Sequence, residues 1–488
     1  MMKKCFQMVL AIVAIPTVIE GAPPNFLFLL SDDQDWTGLS VQMHPEYEGA
    51  RSRIIETPNI ERLAREGMRF SAAYSPSSVC SATRISLQTG QNPARLRWTK
   101  AAPVLRASAR LKLIPPPSRK SIMADEVTLG EVLQEAGYAT AHFGKWHLGG
   151  GGPERHGYDA SDGETGNGHA APYKGDNPVD IFGMNERAVV FMGEAKEAGR
   201  PFFVQMSYHA LHYPENASPE AVAKYEAKGG GGGRGSARGV GRAAISDDLD
   251  RGVGELMESL DEMGLADNTY VIYMSDNGGG GPAPGSQRPG RGGEAGRPLV
   301  GGKGSVWEGG IRVPLIIRGP GVEAGSWSHE RVVGFDLFPT LCVLAEAEEE
   351  MPEGIEGGDF SHLLRGEERE VERAREELVF HFPHYQGDTP HSAVLVGGHK
   401  LIKFYETGET RLFDLDEDIG EGNDLSAAMP ERAAELEAIL EVYLEEADAL
   451  LPEKNPGHVP GVTYSGEKGG GKKGPGGPGG GSGARKKR

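Results

Sequence analysis

The sequence predicts an α/β fold: a mostly parallel central sheet sandwiched by helices, with a smaller C-terminal α+β subdomain built on a short antiparallel sheet. Three observations predict it. Short apolar runs alternate with helix-like segments from residue 25 to residue 345, as in strands buried on both faces and the helices that cover them. Several of those runs are followed at once by acid, amide, lysine or histidine. Beyond residue 378 the pattern changes to closely spaced short strands with turns between them, then one long helical stretch.

Taken in order, Asn25–Ser31 (NFLFLLS) is a nearly continuous apolar run and reads as a buried strand, with Asp32 and Asp33 directly after it. Residues 57–68 start a helix with a proline in the first turn and apolar spacing at Ile60, Leu63 and Ala64. Residues 128–137 form a helix ended by Gly137, followed by a strand at 138–143. A strand at 202–208, a helix at 247–264 closed by Gly264 and a strand at 269–274 continue the alternation, and Asp276 and Asn277 follow the last of these. Residues 312–318 and 332–345 read as the closing strand and helix of the main domain, and the acidic stretch 346–358 as its boundary. Short strands at 378–382, 393–396, 400–405 and 411–415 and a helix at 430–449 make the second unit. Ligands of open α/β sheets bind beyond the carboxyl ends of the strands. Asp32, Asp33, Lys145, His147, His212, Asp276 and Asn277 are therefore expected to converge at one rim.

The ends have their own character. Lys3 and Lys4, an apolar stretch from Met8 to Ile19 and small residues Gly21 and Ala22 read as an export signal over 1–22; an N-terminal anchor or a buried first strand are the alternatives. That reading places the protein outside the cell or in the periplasm. No later segment is long and apolar enough for an integral membrane segment. The main domain then runs over 23–345, the C-terminal subdomain over 346–465, and 466–488 is a Gly/Lys-rich tail expected to be disordered. Glycine clusters at 229–241 and 289–302 read as flexible loops. The net charge of −19 argues against nucleic acid as a partner, yet leaves room for an anionic small substrate at a locally positive site. Of three cysteines, Cys5 lies in the presumed signal. Cys80 and Cys342 can form one bridge, but two cysteines make no disulfide scaffold.

Asp32, Asp33, Asp276 and Asn277 are four oxygen-bearing residues at two strand ends, the type of set a hard dication such as calcium takes. Lys145 and His147 (in GKWHLG), Lys303 (in GGKGSVWEGG) and Arg84 add positive charge beside them, as suits an oxyanion with several oxygens. Cys80-Ser81-Ala82-Thr83-Arg84 leads into Leu87-Gln88-Thr89-Gly90. This combination resembles the signature of the type I sulfatases of the arylsulfatase class, in the alkaline phosphatase superfamily. The aspartate pair, GKWHLG, His212-Tyr213-Pro214, Ser275-Asp276-Asn277-Gly278 and the Lys303 loop occur in the family's order, so the resemblance spans about Asn25 to Asn423.

The resemblance implies an alkaline phosphatase-like fold and a sulfuric ester hydrolase. It implies that Cys80 is converted to formylglycine (3-oxoalanine) by a formylglycine-generating maturation enzyme. A hydrated aldehyde carries two hydroxyls on one carbon: one attacks sulfur and the other expels sulfate by re-forming the aldehyde, where a plain serine or thiol would be trapped as a stable ester. It further implies one Ca2+ held by Asp32, Asp33, Asp276, Asn277 and the residue made from Cys80. Arg84 would hold the modified side chain and Lys145 and Lys303 the sulfate oxygens. His147 would take the proton during elimination and His212 would act as general acid to the leaving alcohol. His209 is read as a loop histidine, Thr83 as turn support, and Asp250, Asp336 and Thr340 as structural. Ala82 stands where proline is commonest in the family, which bears on the maturation enzyme. The implied substrate is a sulfated glycan or aryl sulfate; a phosphate mono- or diesterase or a phosphonate hydrolase on the same fold is the alternative.

Overall fold

Seven consecutive buried residues, Asn25–Ser31, form the central strand of the computed structural model, which describes residues 21–169, 180–228, 237–279, 299–462 and 464. The proposed signal before Gly21, the glycine cluster 229–233 and the tail from 466 lie outside the described residues. The alternation within this strand decides the architecture. Phe26, Phe28 and Leu30 enter one hydrophobic core, and Leu27 and Leu29 enter another on the opposite face, as the two-residue period of a strand requires.

The strand belongs to an eight-stranded sheet in the spatial order Trp327–Ser328, Met68–Phe70, Leu315–Arg318, Thr269–Ser275, Asn25–Ser31, Phe202–Ser207, Ala139–Gly144, Ala160–Ser161. All neighbouring pairs are parallel except those of Leu315–Arg318, which runs against both of its neighbours. Helices Pro58–Glu66, Ile181–Glu197 and Ala237–Glu262 cover one face through Leu63, Met192 and Val253. Helices Cys80–Thr89, Leu129–Glu135 and Leu337–Leu344 cover the other through Ile85, Leu133 and Phe338. The fold class read from the sequence is the one observed.

The C-terminal strands Leu378–Phe382, His391–Val396, His399–Phe404 and Thr410–Asp414 form an antiparallel meander. One face takes Leu436, Leu440 and Tyr443 of helix Pro430–Glu446. The other face sends Phe380, Ala393 and Ile402 into the same core as Phe26, so the second unit is packed directly on the first.

Three expectations change, and one open possibility is settled. The helix expected at 247–264 begins at Ala237, so the end of the glycine-rich segment read as loop is its first turns. The helix expected over 332–345 occupies only Leu337–Leu344, after a two-residue strand at Val332–Val333. Helices Cys80–Thr89, Ile181–Glu197 and Pro219–Ala227 were not read from the sequence. Cys80 and Cys342 are both free and buried, so no bridge joins them.

Three residues read as structural hold the scaffold. Thr57, at the N-cap of helix Pro58–Glu66, makes no side-chain cap bond. Asp250 supplies the acceptor instead, taking the Asn59 and Ile60 N–H groups at 3.1 and 2.8 Å and Asn59 Nδ2 at 2.9 Å. Burial pushes the Asp250 carboxyl up to about 6 despite those donors. Replacing Asp250 by alanine leaves the helix donors unsatisfied, and about 1–3 kcal/mol of stability is expected to go with them. Urea unfolding measures this, and a loss under about 0.5 kcal/mol would be that of an ordinary surface change. Asp336 accepts from Arg373 Nη2 at 2.6 Å and from the Val333 and Gly358 N–H groups, and Thr340 Oγ1 takes the Phe360 N–H.

Candidate active site

The residues expected at the rim are delivered there by strand ends. The backbone N–H groups of Asp276 and Asp32 donate to Ser31 O at 3.0 Å and Ala210 O at 2.7 Å, which locks the two acidic turns side by side. Lys145 follows Gly144, whose φ of +93° and close approach to Ser207 O leave no room for a Cβ. Gly278 is equally confined, because a Cβ there would lie 2.0 Å from Gly309 O. That contact, together with the bonds Lys303 N–H to Gly279 O (2.8 Å) and Gly304 N–H to Ser78 O (2.9 Å), fastens the Lys303 loop to Asn277 and to the segment before Cys80.

Cys80 is the first residue of helix Cys80–Thr89, whose ten side chains are all buried. Its thiol donates to Asp32 Oδ1 at 3.3 Å and accepts from Lys303 Nζ at 3.1 Å. Thr83 Oγ1 donates to Ser77 O at 3.1 Å and steadies the turn into that helix. One helical turn after Cys80, Arg84 binds Asp276 Oδ2 through Nε at 3.0 Å and Nη2 at 2.7 Å, and its Nη1 reaches Lys145 O. Lys145 pairs with Asp32 Oδ2 with both side chains fully buried. Lys303 pairs with Asp33 Oδ1 at 2.7 Å, and Asn277 Nδ2 donates to the same oxygen at 2.8 Å.

Eight of the expected residues thus form one hydrogen-bonded cluster with three carboxylates and three fixed cations. Burial alone would raise Asp32, but Lys145, Lys303 and Arg84 hold its carboxyl well below the ordinary range. Burial and the Asp32 charge push Asp276 up to about 6 against Arg84. Burial, then Asp32, lifts the Cys80 thiol to about 12, so the unmodified sulfur is a poor nucleophile.

The histidines stand around this cluster, with no hydrogen bond to it among the described residues. His147, at φ +61°, has a buried Nδ1 with no partner, and burial with the Lys145 and Arg84 charges pushes it down to about 2. His212 Nδ1 lies 2.7 Å from Tyr213 O, and burial lowers its pKa as well. His209, read as a loop residue, is buried with Nε2 3.1 Å from Gly166 O.

Asp32, Asp33, Cys80 and Asp276 each offer a ligand atom within 4.8 Å of the others. Asn277 Oδ1 is a buried acceptor without a partner. Buried carboxylates of which one is driven toward protonation, beside an unused amide oxygen, fit a hard divalent cation. The thiol does not suit one, since hard cations take oxygen ligands, whereas an oxygen at that position does.

Sequence reasoning missed the supports. Arg242 Nη2 donates to Asp33 O, and its glycine-flanked neighbourhood gave no signal. The turn carrying Lys303 is anchored by Glu308, whose Oε1 meets Lys400 Nζ at 2.8 Å, and Lys400 meets Glu421 Oε1 at 2.8 Å with all three side chains buried. Val306 N–H donates to His391 Nε2 at 2.9 Å.

A family model for sulfatases matches residues 24–347, and one for the C-terminal region of N-sulphoglucosamine sulphohydrolase matches residues 302–449. The chain is 30% identical to arylsulfatase A of Bos taurus, with 88% of this chain and 89% of that protein covered. It is 31% identical to N-acetylgalactosamine-6-sulfatase of Homo sapiens, covering 88% and 87% respectively. Among solved structures, Ps i-CgsB superposes with a TM-score of 0.68 at 24% identity over 86% of this chain and 93% of that one. BT4656 in complex with D-glucosamine-2-N,6-O-disulfate gives 0.65 at 20% identity over 87% and 98%.

Proposed function

The chain belongs to the sulfatase family, as a type I sulfatase that hydrolyses sulfuric esters, and on that premise we propose that it works through Cys80 after conversion to formylglycine, with one calcium ion at Asp32, Asp33, Asp276 and Asn277. The observation that carries this reading is the position of Cys80 Sγ, bonded at once to Asp32 Oδ1 and Lys303 Nζ. When present, the hydrated aldehyde supplies a hydroxyl nucleophile with a release step, and calcium polarises the sulfuryl group.

The remaining work falls to side chains of the chain itself. Lys145 and Lys303 neutralise sulfate oxygens, a role suited to ammonium groups held by buried acids. Arg84 fixes Asp276 through two bonds and keeps positive charge beside the Cys80 helix. His147, held neutral by burial and by its positive neighbours, is the proton acceptor during release. His212, at the rim, donates to the leaving alcohol. Names of solved relatives support a glycan substrate: one is a complex with k-i-k-neocarrahexaose and another with a disulfated glucosamine.

Ala82 does not disturb the fold. The first bond of the helix runs from Thr83 N–H to Val79 O, so the N–H of residue 82 stands ahead of the ladder. Proline or alanine is equally tolerated there, and the choice matters to the maturation enzyme. The signal over 1–22, export, and the division into 23–345 and 346–465 belong to the same proposal. Among the described residues no helix is long and apolar enough to cross a membrane.

Co-expression with a formylglycine-generating enzyme tests the reading. Mass spectrometry of the peptide spanning Cys80 is expected to show aldehyde in place of thiol. The same protein should release sulfate from 4-nitrophenyl sulfate roughly a hundredfold faster than phosphate from 4-nitrophenyl phosphate. Calcium at about 100 times its Kd should add about 2.7 kcal/mol of stability, seen as a higher melting temperature than in EGTA. An active enzyme with an intact thiol, or faster phosphate release, overturns it.

A further inference from the structure

Among the described residues, the segment between the Cys80 helix and helix Leu129–Glu135 stands out by its charge. Eight lysines and arginines fall between Arg95 and Lys120, and no acid occurs from Gln91 to Ala124, in a protein with 70 acids and 51 bases. Four of the eight are tied to acids from elsewhere: Arg95 to Glu356, Arg97 to Asp448, Lys112 to Glu406 and Arg119 to Glu126. Those pairs fix the segment on the surface. Arg106, Arg110 and Lys120 are exposed, and among the described residues none of them makes an ion pair.

This segment walls a pocket of about 270 Å³ lined by Ser81, Trp98, Lys100, Arg119, Lys120 and His147. Ser81 is the residue after Cys80, and its Oγ takes the Trp98 Nε1–H at 3.0 Å. His147 borders the pocket from the side of the acid–cation cluster. The pocket therefore begins where the Cys80 site ends. Its volume is near the lower end for small-molecule sites and admits one sugar ring. Lys100 is 6% exposed, with its ammonium on Gln386 Oε1 and 5.1 Å from the Phe382 ring centre. An ammonium held at a pocket wall by an amide oxygen and a ring face is placed to meet an anion entering the pocket. Lys120 stands at the mouth.

We propose that this pocket is a polyanion subsite: the saccharide to which the scissile sulfate is attached carries at least one further sulfate or carboxylate, which pairs with Lys100 and Lys120. The inference rests on the sulfatase reading for the place of the scissile group. Long-range attraction adds to it, because a basic strip on an acidic protein draws an anionic chain toward this face.

Equilibrium binding to the full-length protein tests it without turnover. The probes are a chondroitin sulfate hexasaccharide, a carrageenan hexasaccharide with sulfates and no carboxylates, and neutral maltohexaose. At least one anionic probe is expected to bind roughly thirtyfold or more tighter than maltohexaose, with affinity falling as salt rises. Lys100→Gln and Lys120→Glu should each weaken that binding about tenfold, about the loss of one partly desolvated ion pair. Lys120 is exposed, so its variant carries the test even if the Lys100 variant folds poorly. Which anionic probe binds better tells sulfate from carboxylate recognition. No preference over maltohexaose, or undiminished binding by the Lys120 variant, overturns the proposal. Sulfate release from 4-nitrophenyl sulfate is followed separately with the same protein preparation. Probe binding through Lys100 and Lys120 in an aldehyde-bearing protein that frees no sulfate from any ester sinks the sulfatase mechanism and leaves the subsite standing.

Discussion

Replacing Cys80 by alanine is expected to lower sulfate release from 4-nitrophenyl sulfate by roughly 10⁴–10⁶-fold, the range in which loss of a covalent nucleophile falls. The surrounding cluster explains why so little should survive. Arg84, Lys145 and Lys303 can still gather a sulfate group, but none offers an oxygen to attack it. Fixed charge without a nucleophile leaves only the modest background that binding and electrostatics give. Cys80 contributes one sulfur to a fully buried helix face, so its removal should leave the melting transition nearly in place. That separation of effects is the check: steady-state assays alongside thermal unfolding. A variant folded like the wild type and retaining more than about a tenth of its turnover would remove Cys80 from the mechanism.

Lys400→Met is expected to cost about 3–5 kcal/mol of stability, the penalty for breaking a buried ion pair by taking away one partner. Lys400 sits on strand His399–Phe404 with its ammonium 2.8 Å from both Glu308 and Glu421. Arg312 still holds Glu308 Oε2 at 2.6 Å in the variant, but Glu421 is left with only the Glu308 N–H at 2.7 Å. Burial, opposed by Lys400 and reinforced by the Glu308 charge, already pushes Glu421 up to about 7. An acid with a raised folded pKa binds protons more tightly when folded. Its contribution to stability therefore grows as pH falls from the folded value toward the unfolded one. The defect in the variant should accordingly be smaller at about pH 5.5 than at about pH 8. Urea unfolding at the two pH values measures both claims. Equal losses at both would show that Glu421 does not titrate there. Because Glu308 opens the turn whose Gly310 O accepts the Gly278 N–H at 3.0 Å, loosening this junction also slackens Asn277 and Lys303, and turnover should fall with stability.

Much of this was legible before any coordinates. Asn25–Ser31 is fully buried on both faces, so its apolar run was unbroken and the acids after it stood out. Asp32, Asp33, Lys145, Asp276 and Asn277 met as expected because parallel strands deliver their carboxyl ends to one edge, while His147 and His212 stand around them without a hydrogen bond to the cluster. Helix Cys80–Thr89 escaped notice for the opposite reason. All ten of its residues are buried, serines and threonines among them, so it has no polar face and no helical period to read. The reversal of Leu315–Arg318 leaves no local trace, since direction in a sheet is set by connections and not by side chains. Lys400 looked like any lysine on an alternating strand. What buries it are two carboxylates 92 and 21 positions away, and no local pattern encodes such a meeting. The basic segment from Arg95 to Lys120 was not singled out from the sequence, because its charge acquires a bearing on the site only with the pocket it walls.

Only 1% of the Cys80 surface reaches solvent, beneath the Lys303 turn that is stitched to Ser78. If Cys80 is converted as proposed, another enzyme cannot grip a side chain so enclosed, and the conversion has a deadline. It must happen while the polypeptide is still extended, and every molecule that folds first is stranded in its thiol form. The specific activity of a preparation then records a race between two rates, and slowing the folding of this chain becomes a way to raise its yield of competent enzyme.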